Sequence, residues 1–141
     1  MEPKRIIHLL SRTRDRIQKH FQRKIDDLKL GNIAPAHGSV LYALSAGPQT
    51  MQDLARLIER DNSTVTALAD KLEKQGFTVR SVSPHDTRSN IIALTPKGAK
   101  AAPKISAASQ EIVAAIFTGF SATEREEFTR LLFKIYENMG D

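Results

Sequence analysis

The sequence predicts a mainly α protein: six helices with one small β-hairpin between the fourth and the fifth. Three observations carry this reading. Apolar residues recur at three- and four-residue steps along most of the 141 residues. Only two short runs, 77–83 and 89–94, are rich in β-branched residues. Helix-capping residues stand at the head of several periodic segments. A chain of this length, close to that of one domain, can bury a core without disulfides or metal.

The elements follow in order. Ile6, Leu10, Ile17, Phe21, Ile25 and Leu28 form the stripe of an amphipathic helix of about 25 residues that ends at Gly31. Pro35 opens a second helix with His37, Val40, Leu41 and Leu44 inward, and Gly47-Pro48 closes it. Thr50 with Asp53 caps a short third helix that turns Leu54, Leu57 and Ile58 to the core. Asp61 or Asn62 caps a fourth, with Val65, Leu68, Ala69 and Leu72 inward and Gly76 as its stop. The two strands follow, joined by the turn residues Ser83-Pro84-His85-Asp86. Thr95-Pro96 starts an alanine-rich fifth helix to about Phe117, in which Pro103 lacks the amide of an internal helix bond and is expected to kink the axis. Ser121 with Glu124 boxes the start of a sixth, carrying Phe128, Leu131, Leu132, Ile135 and Met139.

Composition narrows the function. With no cysteine, the chain has no disulfide scaffold, thiolate metal site or thiol nucleophile, which fits a reducing cytoplasm. The lack of a long apolar run predicts a soluble, unprocessed protein without a membrane partner. The net charge of +5 favours a polyanion, but it is unevenly spread. Residues 1–30 carry nine Lys/Arg against four Asp/Glu; residues 31–98 carry seven against six, and residues 99–141 five against six. Bulk charge therefore does not mark the middle of the chain as a nucleic-acid binder, and the case rests on motifs.

A helix over 51–58, a four-residue turn and a helix over 63–75 have the spacing of a helix-turn-helix, whose second helix can lie in a major groove. Projected at 100° per residue, the face of that helix opposite its apolar stripe is centred on Ser63, Ala67, Asp70 and Lys74, with Thr66 and Lys71 beside it. Ser63, Thr64 and Thr66 can donate to phosphates or base edges, and Ala67 can touch a thymine methyl. The helix N-terminus itself attracts phosphate. Asp70 would repel phosphate there, so it is expected to pair with Lys74 or with a strand arginine such as Arg80. The hairpin tip, His85, Asp86, Thr87 and Arg88, has no apolar residue to pack; Arg88 suits a narrow minor groove, with Asp86 orienting its guanidinium. A small helical core with a solvated loop is the bland alternative.

Together, Ser63-Thr64-Val65-Thr66, Leu68, Asp70, Leu72 and Glu73, then Gly76-Phe77, Arg80, Asp86-x-Arg88 and Leu94-Thr95-x-x-Gly98, resemble the MarR family of bacterial winged-helix transcription regulators. Ala34-Pro35-Ala36 and the long terminal helices extend the resemblance over most of the chain. It implies one domain in residues 1–141, with 1–31 and 99–141 as a helical dimerisation region and 32–98 as a winged-helix DNA-binding lobe. It also implies a homodimer and an effector pocket where lobe and dimer region meet. The chain departs from the family pattern at Glu59, where glycine is frequent, at Arg60, where an apolar residue is common, and at Asn62 and Ala67, where many members are basic.

No enzymatic set stands out: there is no phosphate-binding glycine loop, nucleophile elbow or metal-ligand spacing, and His8, His20, His37 and His85 lie on separate predicted elements. No catalytic residue, metal or cofactor is expected. The expected function is that of a dimeric, sequence-specific repressor on a pseudo-palindromic operator in double-stranded DNA, released by a small ligand. The rivals are a protein-interaction module and DNA binding without an effector. His8, Arg12 and Arg16 share one face of the first helix, and the resemblance puts part of that helix, His37 and Tyr42 beside the pocket. A cationic pocket of this kind suits an aromatic carboxylate.

Overall fold

The computed structural model describes residues 2–82 and 90–140. The six helices are α1 (Arg5–Asp27), α2 (Pro35–Leu44), α3 (Met51–Ile58), α4 (Asn62–Lys74), α5 (Pro96–Ile116) and α6 (Ala122–Asn138). Three strands, β1 (Gln49–Thr50), β2 (Thr78–Val82) and β3 (Asn90–Leu94), form an antiparallel sheet in the order β1-β3-β2. The β2/β3 register runs from Thr78 opposite Leu94 to Val82 opposite Asn90. Ser83 to Ser89, and with them the expected tip residues His85, Asp86, Thr87 and Arg88, lie outside the described residues.

Local chemistry accounts for the element starts. The hydroxyls of Thr50, Thr95 and Ser121 accept from the amides of Asp53, Gly98 and Glu124, and the Asp61 carboxylate accepts from Thr64. Each satisfies one of the amides that a helix start leaves without a partner. Glu124 also accepts from the Ser121 amide at 2.9 Å, completing the expected box. α1 ends at Asp27 rather than Gly31, because Lys29 (φ 54°) and Gly31 (φ 100°) take left-handed conformations that no helix continues. β1 is absent from the sequence expectation, since two residues after a proline carry no alternation to read. α5 runs through Pro103 as one helix and ends at Ile116.

One core joins the chain from end to end of the described lobe. Ile25 and Ile33, then Val40, Leu41 and Leu44 of α2, Leu54, Val65 and Leu72, Phe77 and Ile92 are all buried together with Ala101, Ala102 and Ile105 of α5. The alanines bring α5 close to its neighbours. A Cβ on Gly38 would lie 2.6 Å from Ile105 Cγ2, so α2 and α5 touch at a spacing that only glycine permits. At Gly98 a Cβ would collide with the Phe77 carbonyl, which lets α5 start directly against β2.

Burial falls away towards both ends. Along α1 it declines from Ile25, fully buried, through half-buried Phe21 and Ile17 to Leu10 and Ile6, more than 40% exposed. α6 buries no residue: Phe128, Leu131, Leu132, Ile135 and Met139 are all exposed, and its tie to α5 is an edge-to-face cluster of Phe117, Phe120 and Phe128. Leu57, expected inward, is 58% exposed. The core face of α3 is Met51, Leu54, Ala55 and Ile58, at i, i+3, i+4 and i+7, and Leu57 lies beside it.

Candidate nucleic-acid interface and ligand cleft

α4 is positioned by burial of Val65, Ala69 and Leu72 on the core, which turns Ser63, Thr66, Ala67, Asp70 and Lys74 to solvent. This is the face expected from the periodicity. Thr64 and Lys71 are half-buried on its flanks. The hydroxyls are already engaged locally: Ser63 donates to Asp61 Oδ1 at 2.8 Å, and Thr66 donates to the Asn62 carbonyl at 2.7 Å. What they present outward is therefore oxygen lone pairs and the Thr66 methyl.

Two carboxylates bear on this face. Asp61 takes the Thr64 amide at 2.7 Å, and that bond and the hydroxyls of Thr64 and Ser63 hold its pKa below the ordinary carboxylate range. Asp61 is thus the expected cap of α4, and it places a carboxylate at the helix end that attracts anions. Asp70 is neutralised as expected, by the strand: Arg80 Nη2 lies 2.8 Å from Asp70 Oδ1, and its Nε is 3.3 Å from Glu73 Oε2. One arginine of β2 spans two acids of α4 and offsets part of their charge on the helix that also presents Lys71 and Lys74. Asp86, expected to support the hairpin, lies outside the described residues together with Arg88.

The turn between α3 and α4 is made without glycine. Glu59 takes φ 56°, ψ 48° and closes α3 by donating its amide to the Ala55 and Arg56 carbonyls. The departure from the family pattern at this position leaves a helix-turn-helix intact, at the cost of a left-handed glutamate.

Beside Glu59 lies a cleft of about 570 Å³ between α2, the end of α3 and α5. Pro35, Gly38, Ser39 and Tyr42 wall it from α2, and Ser106 and Ser109 from α5. This is the size of a small-molecule site. The sequence reading found Tyr42 but missed the serines, although Pro35, Gly38, Ser39 and Tyr42 repeat at i, i+3, i+4, i+7 opposite the core face of α2.

The five residues expected at an effector pocket do not meet within one chain. His8 and Arg12 line a separate groove on α1 with Arg5 and Leu9, and Arg16 is an exposed residue one turn on. His37 faces inward instead: it is 7% exposed and its Nδ1 accepts from the Ala34 amide at 3.0 Å, closing the start of α2. Burial first, and then the Lys71 charge, hold its pKa below the ordinary histidine value, so it serves as a neutral cap. Among the described residues, no group of three or more His, Asp or Glu is placed to hold a metal ion, and no helix is long and apolar enough to cross a membrane.

The MarR family model matches residues 35–89, the stretch from α2 through the hairpin. An HTH-type transcriptional regulator of Bacillus subtilis, YkoM, is 34% identical over 114 residues, which span 80% of this chain and 74% of that protein. The solved structure of Bordetella bronchiseptica BpsR, described as regulated in DNA binding by 6-hydroxynicotinic acid, is 27% identical with a TM-score of 0.81 over 95% of this chain and 93% of that one. The Staphylococcus aureus MepR–DNA complex shares the fold, with a TM-score of 0.83 over 99% of both chains at 23% identity. A capped α4 with a polar outer face, a three-stranded wing and these relatives converge: the chain belongs to the MarR family and is a winged-helix transcriptional regulator, not an enzyme.

Proposed function

We propose that the protein acts as a homodimeric repressor that binds a pseudo-palindromic operator and leaves it when a small ligand binds. The observation that carries the DNA part is the outer face of α4, where Ser63, Thr66, Ala67 and Lys74 are exposed and Asp70 is masked by Arg80. In this reading α4 enters a major groove, with Thr64 and Lys71 at its margins, and Arg88 enters the adjacent minor groove with Asp86 holding it. MepR, of the same fold, is solved on DNA.

The dimer is supported by apolar faces that one chain leaves uncovered. Ile6, Ile7, Leu9 and Leu10 of α1 and Phe128, Leu131, Leu132 and Phe133 of α6 are each 40–71% exposed. Residues 1–31 and 99–141 are accordingly proposed as the dimerisation region and 32–98 as the DNA-binding lobe. The division is one of role, since α5 and Ile25 share the lobe's core.

A ligand in the cleft beside Glu59 touches α2, α3 and α5 at once and changes how the lobe sits on the long helices. Only one separation of the two recognition helices fits two half-sites, so such a change releases DNA, and DNA must weaken the ligand by the same factor. An aromatic acid is the candidate for the separate groove of Arg5, His8 and Arg12, in keeping with the 6-hydroxynicotinic acid of BpsR.

Selection of bound genomic fragments followed by footprinting tests this reading. Two protected half-sites with centres about 34 Å apart are expected. Affinity should fall steeply with salt as counterions are released. Binding that ignores both sequence and salt would refute it and favour a protein-interaction module.

A further inference from the structure

The cleft between α2 and α5 carries a charge that the repressor reading leaves unused. Among the described residues, Glu59 is the one acidic side chain of its wall, and no lysine, arginine or histidine lines it. The neighbouring cations act elsewhere. Arg56 is bound to Asp53 at 3.0 Å and Lys24 to Glu111 at 2.7 Å. The remaining polar side chains carry no charge: the hydroxyls of Ser39, Ser106 and Ser109, the phenol of Tyr42 and the amide of Gln110. Phe21 and Tyr42 add aromatic surface, whose ring faces attract cations. A carboxylate ligand would meet Glu59 without a counter-ion, whereas an ammonium would find one.

We propose that this cleft takes a flat aromatic ligand bearing a protonated amine, with Glu59 as its counter-ion. The inference rests on the reading that the cleft is the ligand site of this regulator. Glu59 gives such a ligand a direct hold on the DNA-binding element. Its backbone is the left-handed residue that closes α3 and sets the turn into α4. Its carboxylate also makes a long contact, 3.5 Å, with the Tyr136 hydroxyl of α6. An ammonium on Glu59 competes with Tyr136, so occupancy of the cleft bears on both the recognition turn and the C-terminal helix.

Three ligands of one shape separate the charges: 2-naphthylmethylamine, 2-naphthylmethanol and 2-naphthoate, each titrated calorimetrically into the full chain at pH 7. The amine is expected to bind about tenfold more tightly than the alcohol, the measure of one charge-assisted contact. The acid should bind more weakly than the alcohol. Glu59→Gln should bring the amine to the level of the alcohol and leave the alcohol unchanged. If that variant melts early, Glu59→Gly, which relaxes the left-handed backbone, replaces it. Tightest binding by the acid, an amine preference that survives loss of Glu59, or no binding by any of the three overturns the inference. Operator fragments titrated without ligand keep the two readings apart. Operator binding without amine binding removes the cation site alone, and Glu59-dependent amine binding without operator binding removes the DNA reading alone.

Discussion

Glu59 and His37 each perform a structural task with an unusual residue, and each leaves a measurable trace. A glutamate at φ 56° forces its Cβ against the following carbonyl, a strain that glycine lacks. Glu59→Gly should therefore raise stability by about 0.5 to 1 kcal/mol, the gain being reduced by the extra freedom of glycine in the unfolded chain. Urea unfolding at fixed slope measures it, and a loss of stability would mean that the glutamate side chain contributes more than its backbone costs. His37 accepts the Ala34 amide at Nδ1 only while that nitrogen is unprotonated. Its folded pKa lies below 6.5, so above pH 6.5 the histidine is neutral in both states and its contribution to stability is intact. As the pH falls below 6.5 the unfolded chain takes up the proton first, and stability is lost through the folded-state pKa. His37→Gln keeps an acceptor at the same helix position and does not titrate. Its melting temperature should fall less between pH 7 and 5 than that of the parent chain; an equal fall would assign the pH dependence to other groups.

At the scale of elements, the proposed DNA-facing role of α4 depends on the pairing of its acids with β2. Arg80→Ala would leave the exposed Asp70 and Glu73 without their counter-ion and should weaken all DNA binding by about 1 kcal/mol without changing sequence preference, since the added term is repulsion of phosphate. Anisotropy titrations on operator and mixed DNA read both quantities; an altered preference would instead make Arg80 a base-reading residue. The contact of α2 with α5 offers a second test. Gly38→Ala places a methyl 2.6 Å from Ile105 Cγ2 and should cost about 1 to 3 kcal/mol by overpacking, with Ile105→Leu, which lacks that β-branch methyl, recovering part of it. Additive losses in the double variant would separate the two positions. These elements were largely legible in the sequence, because caps and periodicity act over four or five residues: Thr50, Thr95 and Ser121 open helices as their neighbours dictate, and the Asp70–Arg80 pair follows from a charge on the wrong face. The cleft was not legible. Its walls come from α2 and α5, more than 60 residues apart, and depend on a glycine contact that leaves no periodic signal. The inward side of His37 was legible from its i, i+3, i+4 spacing with Val40 and Leu41, whereas the bond from the Ala34 amide to its Nδ1 was not.

The whole molecule presents two apolar surfaces that its own core cannot cover. α6 has no buried residue, and the first turns of α1 expose Ile6, Ile7, Leu9 and Leu10 on a helix whose other end is fully packed. Exposed apolar area on this scale marks a partner surface, and a second copy of the chain supplies one of matching character. The basic excess of residues 1–30 and the slight acidic excess of residues 99–141 add complementary charge to such a pairing. Light scattering should give twice 15.7 kDa at micromolar concentration. Leu132→Glu, on the exposed face of α6, should shift the chain towards monomer while leaving its helix content unchanged, because no core contact is lost. If α4 reads one half-site per chain, as proposed, the monomer should bind a single half-site in mixed DNA but lose the gain that two linked half-sites provide, a factor on the order of 10² to 10⁴. If Leu132→Glu remained dimeric, α6 would not be the principal seam and the α1 face would take its place. A parent chain that stayed monomeric would break the link between the long helices and operator symmetry, and with it the means by which a ligand in one cleft alters the spacing of two recognition helices.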